Sequence, residues 1–156
     1  MIYCMSDIHG ELDKFEQMLE LIQLSDCDHL YIIGDAIDRG PRGVEVLQKI
    51  IATNNISMLL GNHELMCLNT LGPLNEYGAR ERNQIIRYLM NLHDSLNLTV
   101  AGRRFHLVHG CPGADHQTRI WGRVTEETRS PFQDTICVVG HTPTVFFTNR
   151  YDEDFS

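Results

Sequence analysis

No stretch of the 156-residue chain holds enough consecutive apolar residues to cross a membrane as a helix. Basic residues are scarce: 13 Lys and Arg stand against 21 Asp and Glu, a net charge of −8. That deficit argues against broad binding to nucleic acid or to an anionic membrane. It leaves phosphorylated substrates open, because bound divalent metals would reverse the sign locally. Cysteine is sparse. Cys4, Cys27, Cys67, Cys111 and Cys137 are scattered, odd in number and without a CxxC pair. This points to reduced thiols in a cytoplasm rather than to a disulfide framework. The start, Met1-Ile2-Tyr3-Cys4-Met5, has no basic segment and enters a strand at once, so no signal peptide is expected. Repeats and low-complexity segments are missing too. What is present is ordinary for a globular protein, 42% hydrophobic and 22% charged, at a length that fits one domain over residues 1–156.

The most informative stretch is Gly34-Asp35-Ala36-Ile37-Asp38-Arg39-Gly40. It follows the apolar run Leu30–Ile33, which reads as a buried strand, and precedes Pro41, which can start a helix. Two acids and an arginine thus lie at the C-terminal end of a strand, where open α/β sheets bind ligands. The same pattern occurs on either side. A strand over 2–6 ends in Asp7-Ile8-His9-Gly10, and a strand over 56–60 ends in Gly61-Asn62-His63-Glu64. Apolar residues at helical spacing follow the first two clusters: Leu12, Phe15, Met18, Leu19 and Ile22, then Val44, Leu47, Ile50 and Ile51. The intervals Asp7–Asp35 and Asp35–Asn62 are 28 and 27 positions. Each is the length of a βα unit feeding a parallel strand, so the three clusters share one sheet edge.

Residues 64–92 read as helix broken near Gly72-Pro73, with Arg80, Arg82 and Arg87 on a solvated face. A β-hairpin is expected from 96–100 and 104–108 around Ala101-Gly102-Arg103, ending in His109-Gly110. A loop over 111–118, Trp121-Gly122-Arg123, and a loop or short helix over 125–133 come next. Another strand, 136–139, ends in Gly140-His141-Thr142-Pro143. A last strand is expected over 145–148, before the acidic tail 151–156.

Five strand ends thereby carry Asp7 and His9, Asp35, Asn62 and His63, His109, and His141. Carboxylates, imidazoles and an amide oxygen suit borderline divalent ions such as Mn, Fe or Zn. The ligands are too many for one ion, and sharing Asp35 would give two ions plausible shells. Paired ions are a recurring device for hydrolysing phosphate esters. Lone histidines, by contrast, are more often structural, and His29, His93, His106 and His116 are read so.

In this order, SDIHG, GDAIDRG, LLGNHE, LVHG and VVGHT resemble the signature blocks of the calcineurin-like metallophosphoesterases. Within these the chain is similar to compact bacterial and phage PPP-type phosphoprotein phosphatases. The resemblance implies an α/β fold: a sandwich of two mixed sheets flanked by helices. It implies Asp7, His9 and Asp35 on one ion, and Asp35, Asn62, His109 and His141 on a second. Mn²⁺ is the expected metal, with Fe or Zn as alternatives. His63 becomes a general acid oriented by Asp38, while Arg39 and Arg123 hold phosphate and Asn62 also faces substrate. The implied reaction is direct hydrolysis of a phosphate monoester by metal-activated water, without a phosphoenzyme. The implied substrate is a phosphorylated protein or a small phosphoester.

Two departures matter. Leu60 stands where many protein phosphatases have an arginine, as in the related diadenosine-tetraphosphate hydrolases, and would make the pocket wall less positive. Those hydrolases tend to lack the second Asp of GDxxDRG, yet Asp38 is present. The chain also has only 14 residues after Thr142, whereas family members continue with more strands, so a short C-terminus or a fragment is expected. The rival functions are a dinucleoside polyphosphate hydrolase and a non-catalytic binding protein that keeps the fold.

Overall fold

Three parallel strands form the first sheet, side by side in chain order: β1 (Ile2–Met5), β2 (His29–Ile32) and β3 (Ile56–Met58). The structure, a computed structural model, describes residues 1–143. Each strand feeds a helix: α1 (Leu12–Ile22), α2 (Gly43–Ala52) and α3 (Asn62–Thr70). A 3₁₀ turn at Gly72–Leu74 interrupts the helical stretch, as the Gly-Pro pair requires, before α4 (Ala79–Met90). The second sheet has the order β4 (Ser95–Val100), β5 (Arg103–Val108) and β6 (Thr135–Val139). Its first pair is antiparallel and its second parallel. The expected α/β architecture of two sheets with helices is therefore present. The first sheet is parallel throughout and the second mixed, among the described residues.

Alternation along β2 shows how the layers are held. Leu30 and Ile32 point into a core shared with Phe15, Val46, Leu47, Ile50, Ile85 and Leu89 of the helices. Ile33, on the opposite parity, packs with Leu59 and Leu107 between the two sheets, beside Tyr31, Leu96, Leu98 and Val138. Period-two chemistry in one strand thus serves two cores.

Several local expectations shift. β2 and β3 stop at Ile32 and Met58, earlier than expected. Asn62 and His63 lie in the first turn of α3 rather than on a strand end. α2 begins at Gly43, not at Pro41, because residues 34–42 are taken up by the turn that carries the acids. The hairpin turn is two residues, Ala101 and Gly102, with φ of 49° and 76°. These positive angles match a primed turn, and Arg103 joins β5. A short helix, α5 (His116–Trp121), occupies part of the expected loop, capped by the Asp115 carboxylate on the Thr118 N–H. No helix forms over 125–133. Leu60 is buried, and its N–H donates to the His93 carbonyl at 2.8 Å. The strand expected over 145–148 and the tail 151–156 lie outside the described residues. No helix among the described residues is long and apolar enough to cross a membrane.

Candidate metal centre and phosphate cleft

The turns after β1 and β2 are stitched to each other by backbone. The His9 N–H donates to the Asp35 carbonyl at 2.9 Å, Gly10 N–H to Ala36 at 2.8 Å, and Gly40 N–H back to His9 at 2.8 Å. The turns hold non-glycine residues in the left-handed region: Asp7 (φ 56°), His9 (48°), Asp35 (56°), Asp38 (73°) and Arg39 (66°). His141 (61°), after β6, does the same. Such angles are uncommon for residues with a Cβ and persist where surrounding contacts over-determine them. Parallel pairing of β5 with β6 sets Val108 opposite Val139, so His109 and His141 leave neighbouring strand ends. Gly140 N–H donates to the His109 carbonyl at 3.0 Å, and His141 N–H to Asp7 Oδ2 at 3.0 Å. That last bond joins the two sheets at the site.

Three imidazoles are oriented alike. His9 Nδ1–H donates to the Ile37 carbonyl at 3.2 Å and His109 Nδ1–H to the Ile33 carbonyl at 2.8 Å. His63 Nδ1 pairs with Asp38 Oδ2 at 2.8 Å. In each case Nε2 is left facing the centre. Fixing one ring nitrogen on a partner to free the other is how proteins prepare imidazole ligands. The three Nε2 atoms surround one oxygen, Asp35 Oδ2, at 3.3 Å (His109), 3.8 Å (His9) and 3.9 Å (His63). The other oxygen, Oδ1, is occupied by the His63 N–H at 3.0 Å.

The donor chemistry fits a bound cation. His109 Nε2 also lies 3.0 Å from Asn62 Oδ1. With Nδ1–H committed to Ile33, a neutral His109 offers only a lone pair there. Two oxygens and a nitrogen, all acceptors, then converge where a proton or a metal ion must sit. Two ligand groups result, His9–Asp35–His63 and Asp35–His109–His141, each with its ligand atoms within 4.8 Å of one another. Asp35 is common to both. Asp7 lies beside the first group, its Oδ1 3.7 Å from His9 Nε2, while its Oδ2 accepts from the Ser6 hydroxyl and the His141 N–H.

Electrostatics follow from burial. Burial pushes the Asp35 carboxyl up, but the hydrogen bond and charge of His109 outweigh it and hold it below the usual range. For His109 burial acts downward, and Asp35 reverses it, leaving the imidazole above its ordinary value. His63 lowers Asp38 through their hydrogen bond. His141 is lowered, first by burial, then by the charges of His109 and Arg123.

Arg39 and Arg123 line the same cleft as Asp7, His9, Asp35 and His141. Both are exposed, and among the described residues neither is paired with a carboxylate. Their ten guanidinium N–H donors are thus available to an anion. Asp7, His9, Asp35, Asp38, Arg39, Asn62, His63, His109, Arg123 and His141 are all brought to this one region. His29, His106 and His116 are not: they bond Ser57, Asn97 and Asp94 elsewhere.

One contributor was missed in sequence. Glu64 is wholly buried, and its carboxylate accepts N–H bonds from Asp35 (2.8 Å), Ala36 (2.9 Å), Gly61 (3.1 Å) and Ile37 (3.3 Å). Burial and the charge of Asp35 push it up to about 7, against the pull of the backbone bonds. A glutamate three residues after a helix-capping position is the available signal. The cap itself, Gly61, must lack a side chain, since a Cβ there would meet Asp35 and, at 2.7 Å, Glu64 Oε2.

The family description "calcineurin-like phosphoesterase" matches residues 1–155. A protein from Acidovorax ebreus (strain TPSY) named symmetrical bis(5'-nucleosyl)-tetraphosphatase is 42% identical over 69 residues, 43% of this chain and 25% of that protein. A Caenorhabditis elegans protein that carries the provisional name of a serine/threonine-protein phosphatase is 30% identical over 131 residues, 79% of this chain and 28% of its own length. The matched stretches therefore span little more than a quarter of those two relatives. Among solved structures, a metallophosphoesterase from Sphaerobacter thermophilus superposes with a TM-score of 0.66 at 22% identity, covering 90% of this chain and 59% of that one. At that identity the likeness speaks for the fold.

Proposed function

The chain belongs to the calcineurin-like phosphoesterases, and from that membership we propose that it hydrolyses phosphate monoesters, with phosphorylated protein side chains as the main substrate class. The observation that carries this reading is His63, held by Asp38 Oδ2 at Nδ1 with Nε2 turned toward Asp35. A carboxylate at one nitrogen fixes the ring, so the opposite nitrogen is placed to deliver a proton to a departing oxygen. A serine or threonine alkoxide is a poor leaving group and needs that proton.

In this reading Asp7, His9 and Asp35 hold one divalent ion, and Asp35, Asn62, His109 and His141 hold a second. Mn²⁺ is the proposed metal, with Fe or Zn as the other ions that such oxygen and nitrogen sets accept. Paired ions supply a nucleophile at neutral pH and neutralise phosphoryl charge. Arg39 and Arg123 receive the phosphoryl oxygens as guanidinium forks. Asn62, whose Oδ1 lies 3.0 Å from His109 Nε2, meets both metal and substrate in this reading. Residues 1–156 act as one domain, since both sheets supply ligands. The five free thiols fit a cytoplasmic location.

A second reading is hydrolysis of dinucleoside tetraphosphates, favoured by the name of the Acidovorax ebreus relative. The test is a substrate panel on Mn²⁺-loaded protein: phosphoserine and phosphotyrosine peptides, diadenosine tetraphosphate and an aryl phosphate. Higher kcat/KM on a phosphopeptide supports the first reading. Higher kcat/KM on the tetraphosphate replaces it with the second. Metal uptake with no turnover of any substrate indicates a binding protein that keeps the fold.

A further inference from the structure

We propose that Glu64 is a positioning residue: it sets the shared carboxylate of Asp35 in place for two ions before either binds. The proposal rests on the two-metal reading above and assigns one residue a role within it. Glu64 is the third residue of α3, directly after Asn62 and His63. Its Oε2 accepts the N–H groups of Asp35 and Gly61, and its Oε1 those of Ala36 and Ile37. One side chain therefore clamps the turn that carries Asp35 and Asp38 onto the helix start that carries Asn62 and His63.

The consequence falls on Asp35. Its backbone is held by Glu64 and its Oδ1 by the His63 N–H, so rotation about χ1 and χ2 is spent. Oδ2 alone is left, at the point where His9, His63 and His109 converge. Together the clamp and the His63 N–H leave Oδ2 as the oxygen that Asp35 would offer to the ions.

A helix cap alone accounts for one of the four bonds, that from the Gly61 N–H; the other three go to the turn that carries Asp35. Here a glutamate with no exposed surface lies against a second buried carboxylate, a costly arrangement even with four N–H donors. Glutamine cannot replace it. Its single carbonyl oxygen serves two of the four donors, and its NH₂ would oppose the other two.

Two measurements test the proposal on the full chain. The first is Mn²⁺ binding, counted from the free-ion electron paramagnetic resonance signal, for wild type and Glu64→Gln. Wild type should take up two ions, and Glu64→Gln should bind the second at least ~10-fold more weakly, in the range seen when groups that orient metal ligands are lost. Wild type with two ions and Glu64→Gln with the same two affinities overturns the role of Glu64 and leaves the two-metal reading intact. Wild type with fewer than two ions overturns both. The second measurement needs no variant and holds if Glu64→Gln fails to fold. Hydrogen exchange of metal-free wild type should show residues 35–37 protected as strongly as β2. If those amides exchange like an open loop and gain protection only when Mn²⁺ is added, the ions organise the turn and the proposal fails.

Discussion

His63 Nδ1 lies 2.8 Å from Asp38 Oδ2, and the opposite ring nitrogen faces Asp35 Oδ2 at 3.9 Å. The imidazole is thus supported on one side and aimed at the Asp35 carboxylate on the other. If it is the general acid, its value depends on the leaving group. His63→Asn should slow a phosphoserine peptide by roughly 10²–10⁴-fold, and an aryl phosphate such as nitrophenyl phosphate far less, since that phenolate departs unprotonated. Asp38→Asn should act in the same direction and more mildly. The check is kcat on both substrates with metal content measured in parallel. Equal slowing of both substrates with metals retained would assign His63 to water or phosphate positioning instead.

Asp35 is the one residue common to both ligand groups. Asp35→Asn replaces one carboxylate oxygen by an amide and, in the two-metal reading, should weaken both sites together. Metal analysis after dialysis at matched free Mn²⁺ should fall from two ions toward none, not from two to one. Chelation should abolish hydrolysis by wild type, and added Mn²⁺ should restore it. Full turnover in excess chelator would sink the metal-dependent mechanism.

Leu60→Arg tests burial against pocket lining. Leu60 is 7% exposed, and its N–H is committed to the His93 carbonyl. A guanidinium buried there without a counter-charge would cost about 3–5 kcal/mol. Thermal unfolding should show a large loss in Tm. Unchanged Tm together with a lower KM for phosphopeptides would mean that the side chain reaches substrate after all.

Asp94 ties the start of the second sheet to α5, accepting from Arg119 Nη2 and His116 Nδ1 at 2.8 Å each. Burial raises its carboxyl, but Arg119 and His116 outweigh that and leave it lowered. A depressed folded-state pKa gives stability that is present above the unfolded value of about 3.9 and lost as pH falls through the folded one. Because the cluster is partly screened by solvent, Asp94→Asn should cost no more than about 1 kcal/mol at neutral pH. The gap between wild type and variant should close on acidification below about pH 4. Denaturant titrations at pH 7 and pH 3 measure both; a gap that stays constant would show that the pairs add nothing.

The sequence by itself determined the parts and their order. Spacing of 28 and 27 positions between Asp7, Asp35 and Asn62 marked two βα units, and the parallel sheet follows from them. Period-two and helical patterns placed the elements, because burial leaves its trace in local hydrophobicity. All ten candidate site residues were legible as motif positions. Element ends were less so. Asn62 belongs to a helix, not a strand, since the backbone turns as soon as β3 loses its partner.

Only the tertiary structure decided how those parts meet. That Asp35 offers Oδ2 alone depends on a backbone N–H 28 positions away. That Asp7 meets the His141 N–H depends on a contact spanning 134. Arg123 shares the cleft with Arg39, 84 positions away in the chain, a proximity that no local pattern encodes. Glu64 is the sharpest case. Only the closure of two turns around it makes it a buried acceptor of four N–H bonds. Periodicity reports which face a residue takes. Which atoms converge on a point is set by long-range pairing and by left-handed turns, such as those at Asp7, His9 and Asp35, that become affordable only inside the finished fold.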